Sequence, residues 1–152
     1  MYRNHVRFNL FFALPVLLGT IYYCFHPSLN LLITFAGVFI YSTLFMNPDL
    51  DIANRVKLFS FRGLMTLPFR SYAKCFSHRG LSHNVILGSL TRIIWLIFWG
   101  IAIFFLIYKT LPNTTTLYAY YQQYRPFVFY TLSAICLADW CHLLLDRKML
   151  KT

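Results

Sequence analysis

The sequence is short of acidic side chains. Its 152 residues include no glutamate, and the 4 carboxylates are all aspartates, against 14 lysines and arginines. Charged residues make up only 12% of the chain and hydrophobic residues 59%, which is too apolar for a soluble domain of this size. The composition therefore favours a membrane protein, and the scarcity of carboxylates makes the position of each one informative.

The sequence also lacks a cysteine framework. Its 4 cysteines show no Cys-x-x-Cys spacing, and no disulfide framework is implied. Cys75 and Cys141 lie near the predicted site, where ligation is the alternative to burial. Three of the cysteines lie in or beside apolar runs, and we interpret them as small buried hydrophobic residues. The first apolar run follows basic residues, as in a signal peptide, but it has no small-residue cleavage site, so we expect it to be retained.

Long apolar runs are what the chain has in abundance. They predict an all-α fold, a polytopic membrane helical bundle with about four transmembrane helices, in a single domain over residues 1–152. A basic, aromatic segment between the second and third runs is expected to lie along the membrane surface. Nucleic-acid binding, the competing interpretation of that segment, lacks support from any soluble binding domain. The predicted spans are residues 8–25, 29–46, 85–108 and 126–145, and the interfacial segment is residues 52–76.

Lysine and arginine are distributed unequally across the predicted spans. Four spans place both termini and the middle segment on one side, where the N-terminus contributes 2 basic residues, the middle segment 6 and the tail 3. The predicted loop 109–125 on the other side carries only Lys109 and Arg125. The positive-inside rule therefore predicts a multi-pass protein of the bacterial inner membrane with both termini in the cytoplasm.

Histidines and aspartates cluster where the predicted spans meet this cytoplasmic side. Imidazole is the commonest metal ligand in proteins, and carboxylate oxygens bind zinc and harder cations. Of the candidates, only Asp139 lies deeper within a span, and the others fall near one interface. We therefore predict a metal site there, with the candidate ligands His5, Asp49, Asp51, His78, His83, Asp139, His142 and Asp146.

The last span carries a polar face. Asp139, His142 and Asp146 are spaced i, i+3, i+7, so a helix places them on the same side. A carboxylate as deep as Asp139 is costly and requires a partner, and Arg92 lies at a similar depth in the third span. Arg92 either pairs with Asp139 or receives a phosphate group, and both interpretations stay open.

Two further pieces flank the middle segment. Asp49 and Asp51 follow a helix stop at Asn-Pro, where an aspartate-rich turn is the alternative to a chelating pair. His78 and His83 lie in the string Ser-His-Arg-Gly-Leu-Ser-His, and a pair of interfacial histidines is the alternative there. The proximity of the two pieces to the same interface favours ligands.

These motifs resemble a known pattern. The chain is similar to a bacterial family of metal-binding membrane proteins, domain of unknown function 2227. The similarity lies in Pro48-Asp49-x-Asp51, in His78-Arg79-Gly80-Leu81-Ser82-His83, in an arginine of the next span and in a late Asp-Trp. His5-x-Arg7 resembles the early His-Asp-Arg of that family, with Val6 in place of the aspartate. His142-x-x-x-Asp146 is similar to the late motif of the related membrane-bound metal-dependent hydrolases, and this likeness implies metal-assisted hydrolysis.

The sequence as a whole predicts an integral inner-membrane metal-binding protein that hydrolyses a phosphoester, with a lipid headgroup as the substrate best suited to an interfacial site. Arg92 and Arg79 are the candidate catalytic residues, because guanidinium groups bind phosphate. One or two divalent metal ions are expected, zinc or manganese, and the partners are the lipid bilayer and an anionic lipid or phosphoester, without nucleic acid. The alternatives are a non-catalytic metal carrier or sensor, and a structural membrane protein with a polar ion-pair network.

Overall fold

A computed structural model describes residues 2–46, 59–75 and 87–149, which are almost entirely helical and contain no strand within those ranges. The first hydrophobic run forms one continuous helical rod, in which α1 (Tyr2–Phe8) leads through a π-helical turn (Asn9–Ala13) into α2 (Leu14–Phe25). The remaining helices are α3 (Leu29–Phe45), α4 (Phe61–Met65), α5 (Leu67–Cys75), α6 (Leu87–Tyr108) and α7 (Thr114–Met149). The all-α prediction is confirmed.

Three helices in the described ranges are long and apolar enough to cross a membrane: Asn4–Phe25, Leu87–Tyr108 and Thr114–Asp146. The second predicted span, residues 29–46, forms α3, whose 17 residues are at the short end of what a bilayer requires. Many large apolar side chains on these helices are exposed, including Ile94, Ile97 and Phe98 of α6. This distribution is expected of helices whose outer faces contact lipid.

Helix α7 begins earlier than the sequence indicated. The predicted loop 109–125 is helical from Thr114 onward, so that α7 has 36 residues and passes through Pro126 without a break. Asn113 caps its start, because its side-chain oxygen accepts a hydrogen bond from the backbone N–H of Thr115 at 3.0 Å. A helix of this length extends roughly 54 Å, well beyond the thickness of a bilayer core.

Helix α7 is the central element of the bundle. It packs most extensively against α3, and the first buried cluster joins both helices to the α2 rod. A second cluster joins the end of α3 to α5 and α7 through Met46, Phe69, Tyr72 and Ile135. The predicted interfacial segment thus has an anchored part, since α5 inserts Phe69 and Tyr72 between the longer helices. Residues 52–58 and 76 of that segment lie outside the described residues.

Polar contacts show which helix ends lie together. Asn9 hydrogen-bonds to Thr43 and to the backbone of Ala138, and Asp139 hydrogen-bonds to Ser89. The start of the α1–α2 rod, the end of α3, the start of α6 and the C-terminal part of α7 therefore meet at one end of the bundle. This end contains every described residue of the predicted site.

Candidate metal centre

Three candidate ligands from opposite ends of the chain meet at this end of the bundle. His5 Nε2 lies 3.3 Å from Asp146 Oδ1, and His142 Nε2 lies 3.6 Å from Asp146 Oδ2. The two imidazole rings are stacked, with centroids 4.5 Å apart. One ligand atom from each residue lies within 4.8 Å of the others. Two nitrogen donors and one carboxylate are thus gathered around a single point.

This donor set fits a divalent metal ion. Zinc binds histidine nitrogen and carboxylate oxygen at about 2.0–2.2 Å, so donors sharing one ion lie roughly 3.0–3.6 Å apart. The separations of 3.3 Å to Asp146 Oδ1 and 3.6 Å to Asp146 Oδ2 lie close to that range, and the ligand atoms of all three residues lie within 4.8 Å of one another. Two histidines and one carboxylate are also the ligands of catalytic zinc sites and of non-haem iron sites, both of which keep open positions.

The three residues differ in how far they are buried. The histidines are buried, with 1% of His5 and 3% of His142 exposed, whereas the side chain of Asp146 is 30% exposed. Fully buried imidazoles are held in one orientation by packing, while the half-buried carboxylate forms the accessible side of the group. Among the three donors, Asp146 is therefore the one most accessible from outside the group.

Helical spacing explains how α7 supplies two of the donors. His142 and Asp146 are four residues apart, and residues with this spacing are neighbours on one face of a helix. Leu143 and Ala138 are buried on the adjoining surface of α7, and this packing helps to fix the direction in which His142 and Asp146 face. The pair is consequently formed by local structure alone, before any contact with another helix.

The third donor depends on the π-helical turn. In this turn the backbone N–H of Leu14 donates to the carbonyl of Asn9, a bond one residue longer than in an α-helix. Pro15 follows directly, and the ring of a proline within an α-helix clashes with the carbonyl four residues earlier. The widened turn relieves this clash and rotates α1 relative to α2. We conclude that Pro15 helps to set the direction in which His5 faces.

A buried ion pair lies beside this group. Arg92 Nη1 donates to Asp139 Oδ1 at 2.5 Å and to the carbonyl of Met46 at 3.0 Å, and both charged side chains are 1% exposed. Ser89 donates to the second carboxylate oxygen of Asp139 at 2.7 Å. Of the two interpretations of Arg92, pairing with Asp139 is therefore what the contacts show, and both oxygens of Asp139 have protein partners.

The structure describes about half of the predicted site. It brings together His5, His142 and Asp146, and it places Asp139 in the ion pair with Arg92 and outside this three-residue group. Ligand roles for the remaining candidates stay predictions. Outside the described residues lie Asp49, Asp51, His78 and His83, together with the candidate catalytic residue Arg79.

Two polar residues of this region were not among the predicted ones. Ser89 binds Asp139, and Asn9 is 1% exposed in the wall between α1, α3 and α7. The spacing His5-x-x-x-Asn9 is the signal that was available, because it places both residues on one face of a helix. An asparagine at that spacing within an apolar run indicates a polar face directed at the site.

Comparison with known proteins supports the metal interpretation. A family model described as "uncharacterized metal-binding protein (DUF2227)" matches residues 2–151, which is nearly the whole chain. Neither the curated proteins nor the solved structures contain a match to this sequence.

Proposed function

This chain belongs to the DUF2227 family of uncharacterized metal-binding proteins, and we propose that it is a membrane-embedded, metal-dependent hydrolase of phosphoesters. The observation that carries the proposal is the convergence of His5, His142 and Asp146 at one end of an apolar bundle, with their ligand atoms within 4.8 Å of one another. The described residues supply three protein donors, a number that in catalytic zinc sites accompanies an open coordination position for water or substrate.

His5, His142 and Asp146 would hold the divalent ion, which would supply an activated water and polarisation of a phosphoryl oxygen, two functions that assist phosphoester hydrolysis. His5 and His142 bind and orient, because their buried rings have little freedom to turn away. Asp146 stands at the accessible side, where its carboxylate neutralises part of the positive charge and holds the imidazoles in place.

The charge at this end of the bundle suits an anionic substrate. Arg3 and Arg7 flank His5 in the sequence, and Arg147 and Lys148 follow Asp146 directly. Basic residues near a bilayer surface attract anionic headgroups by about 1 kcal/mol each. A lipid headgroup is therefore the phosphoester that we propose, because it is already held at the depth of the helix ends.

The proposed environment is the bacterial inner membrane, with the metal centre and both termini on the cytoplasmic side. Three helices long and apolar enough to span a bilayer support membrane insertion, and the uneven distribution of lysine and arginine supports this orientation. Zinc or manganese is the proposed metal, since both accept mixed imidazole and carboxylate ligands.

The test measures metal content and turnover in the same preparations. Protein purified in mild detergent is analysed for bound metal and then assayed with Zn²⁺ or Mn²⁺ against phospholipids in mixed micelles and a soluble phosphodiester. We expect wild-type protein to hydrolyse at least one of them, and His142→Ala to lose both metal and turnover. His26→Ala is the matched control, because His26 is exposed at the opposite end of α2.

Each negative result supports a different alternative. Bound metal without turnover on any phosphoester would favour a carrier or sensor. Wild-type protein without metal would overturn the metal centre altogether and leave the Arg92–Asp139 pair as part of a structural ion-pair network.

A further inference from the structure

The side-chain oxygen of Asn9 is buried but accepts no hydrogen bond from the described residues. The residue is 1% exposed, and its Oδ1 has no hydrogen-bond partner among the described residues. A buried carbonyl oxygen left in this state costs about 1–3 kcal/mol of folding free energy, so such groups nearly always face a donor, a water molecule or an ion.

The hydrogen bonds of Asn9 fix which way its amide is turned. Its Nδ2 donates to the carbonyl of Ala138 at 3.2 Å and lies 3.4 Å from Thr43 Oγ1. A carbonyl oxygen can only accept, so the nitrogen must lie on this side and the oxygen on the other. The contacts with α3 and α7 therefore determine the orientation of the group.

The position of Asn9 places its side chain next to that of His5. Asn9 is one helical turn after His5, and helical side chains lean toward the N-terminus, so Asn9 leans toward His5. Its partner Ala138 is likewise one turn before His142 on α7. Asn9 thus bridges the two helices that supply the imidazoles, immediately below them.

We infer that Asn9 is a positioning residue of the metal centre, whose Oδ1 accepts a hydrogen bond from Nδ1–H of His5 when Nε2 of His5 binds the ion. Nε2 is the nitrogen that faces Asp146, which leaves Nδ1 as the N–H donor of the neutral ring. Metal-binding histidines generally donate their second ring N–H to an oxygen, and this bond fixes the tautomer and raises the basicity of the ligand. The inference rests on the metal centre of the proposed function, but not on catalysis.

Metal affinity is the readout, measured for Zn²⁺ and separately for Mn²⁺ by competition with a chelator in detergent-purified protein. Asn9→Leu keeps the size of the side chain and removes the oxygen, and we expect it to weaken binding about 10–100-fold. Asn9→Asp restores an acceptor oxygen, and because burial favours the protonated carboxyl group, its O–H can still donate to the carbonyl of Ala138. We expect this variant to bind about as tightly as wild type. This rescue separates positioning of His5 from a purely structural role.

Ser42→Ala is the matched control. Ser42 is fully buried, its Oγ likewise has no hydrogen-bond partner among the described residues, and it is the neighbour of Thr43 on α3. We expect this variant to bind metal as wild type does. Thermal unfolding of the metal-free proteins shows whether Asn9→Leu folds, and a variant that fails this check is replaced by Asn9→Ser, which shortens the side chain out of reach of His5.

The outcomes distinguish this inference from the proposed function. If a folded Asn9→Leu or Asn9→Ser variant binds metal as tightly as wild type, Asn9 does not position His5. This result leaves the proposed function intact if His142→Ala abolishes metal binding and wild-type protein hydrolyses a phosphoester. Weakened affinity in Asn9→Leu that Asn9→Asp does not restore also overturns it. Loss of affinity with rescue supports it, whether or not any phosphoester is hydrolysed.

Discussion

At the scale of single residues, two polar groups stand out in an apolar bundle, and they differ in what they can bind. The Arg92–Asp139 pair satisfies its charges internally, with Ser89 and the Met46 carbonyl as further partners. The His5–His142–Asp146 group instead presents three donor atoms to one point. The first arrangement is suited to joining helices, and the second is suited to holding a cation.

Asp146→Asn tests the contribution of the carboxylate. The substitution keeps the shape of the side chain but removes its charge, so the three-residue group loses the one anionic donor that it has among the described residues. We expect metal affinity to fall at least as far as the roughly 10–100-fold typical of outer-shell changes. Affinity is measured by chelator competition, and retention of wild-type binding would show that Asp146 is not a ligand.

Arg92→Met tests the ion pair. Removing one partner leaves Asp139 as an uncompensated buried charge, and breaking a buried pair typically costs about 3–5 kcal/mol of folding free energy. Thermal unfolding in detergent should show a marked loss of stability. The double variant Arg92→Met with Asp139→Leu should recover much of it, because neither charge remains buried. A double variant as unstable as the single one would contradict this account.

At the scale of helices, local structure explains why part of the site was predictable. His142 and Asp146 follow from i, i+4 spacing, and the apolar runs gave the helices that carry them. The π-helical turn was not predictable from periodicity, because it depends on how the chain accommodates Pro15. The sequence did not predict the early start of α7, because residues 114–124 are rich in threonine and tyrosine, which are weak helix formers. Such a composition is also compatible with a loop.

Pro15→Ala tests the π-helical turn. Pro15 is exposed, so little packing is lost, and removing an interior proline returns up to about 3 kcal/mol of helix stability. Without the proline we expect the turn to revert to α-helix, which rotates α1 by about 100° relative to α2. His5 then faces away from Asp146, and metal affinity falls. The gain in helix stability is offset in part by the loss of the hydrogen bonds of Asn9, which turns with α1.

Pro126→Ala is the matched control for this experiment. Pro126 also lies inside a long helix, but α7 passes through it without a π-helical turn. Its replacement should therefore leave metal affinity unchanged. Equal affinity in Pro15→Ala and wild type would show that the turn does not position His5.

At the scale of the whole molecule, the bundle has two chemically different ends. One end holds the buried polar groups, and the other consists of the turn after α2, the connection 109–113 and the exposed tyrosine-rich start of α7. The sequence indicated this polarity through the histidines and aspartates that lie near one predicted interface. It could not supply the contacts between helices, since these depend on side-chain packing of segments far apart in the chain.

Cysteine labelling tests the proposed orientation. Asn4→Cys and Thr110→Cys are introduced separately into a chain whose native cysteines are replaced, and both positions are exposed. A membrane-impermeant maleimide added to intact cells should label Thr110→Cys only. Inverted membrane vesicles should give the opposite result. Labelling of Asn4→Cys in intact cells would place the polar end outside and refute the orientation.

The separation of His5 from Asp146 in the sequence has a consequence for biosynthesis. A growing polypeptide that has not yet reached α7 possesses only one of the three donors described here. The three-residue group can therefore form only after the last helix has been made and has docked against the first. Its assembly marks a fully synthesised and folded molecule, and an incomplete translation product lacks it.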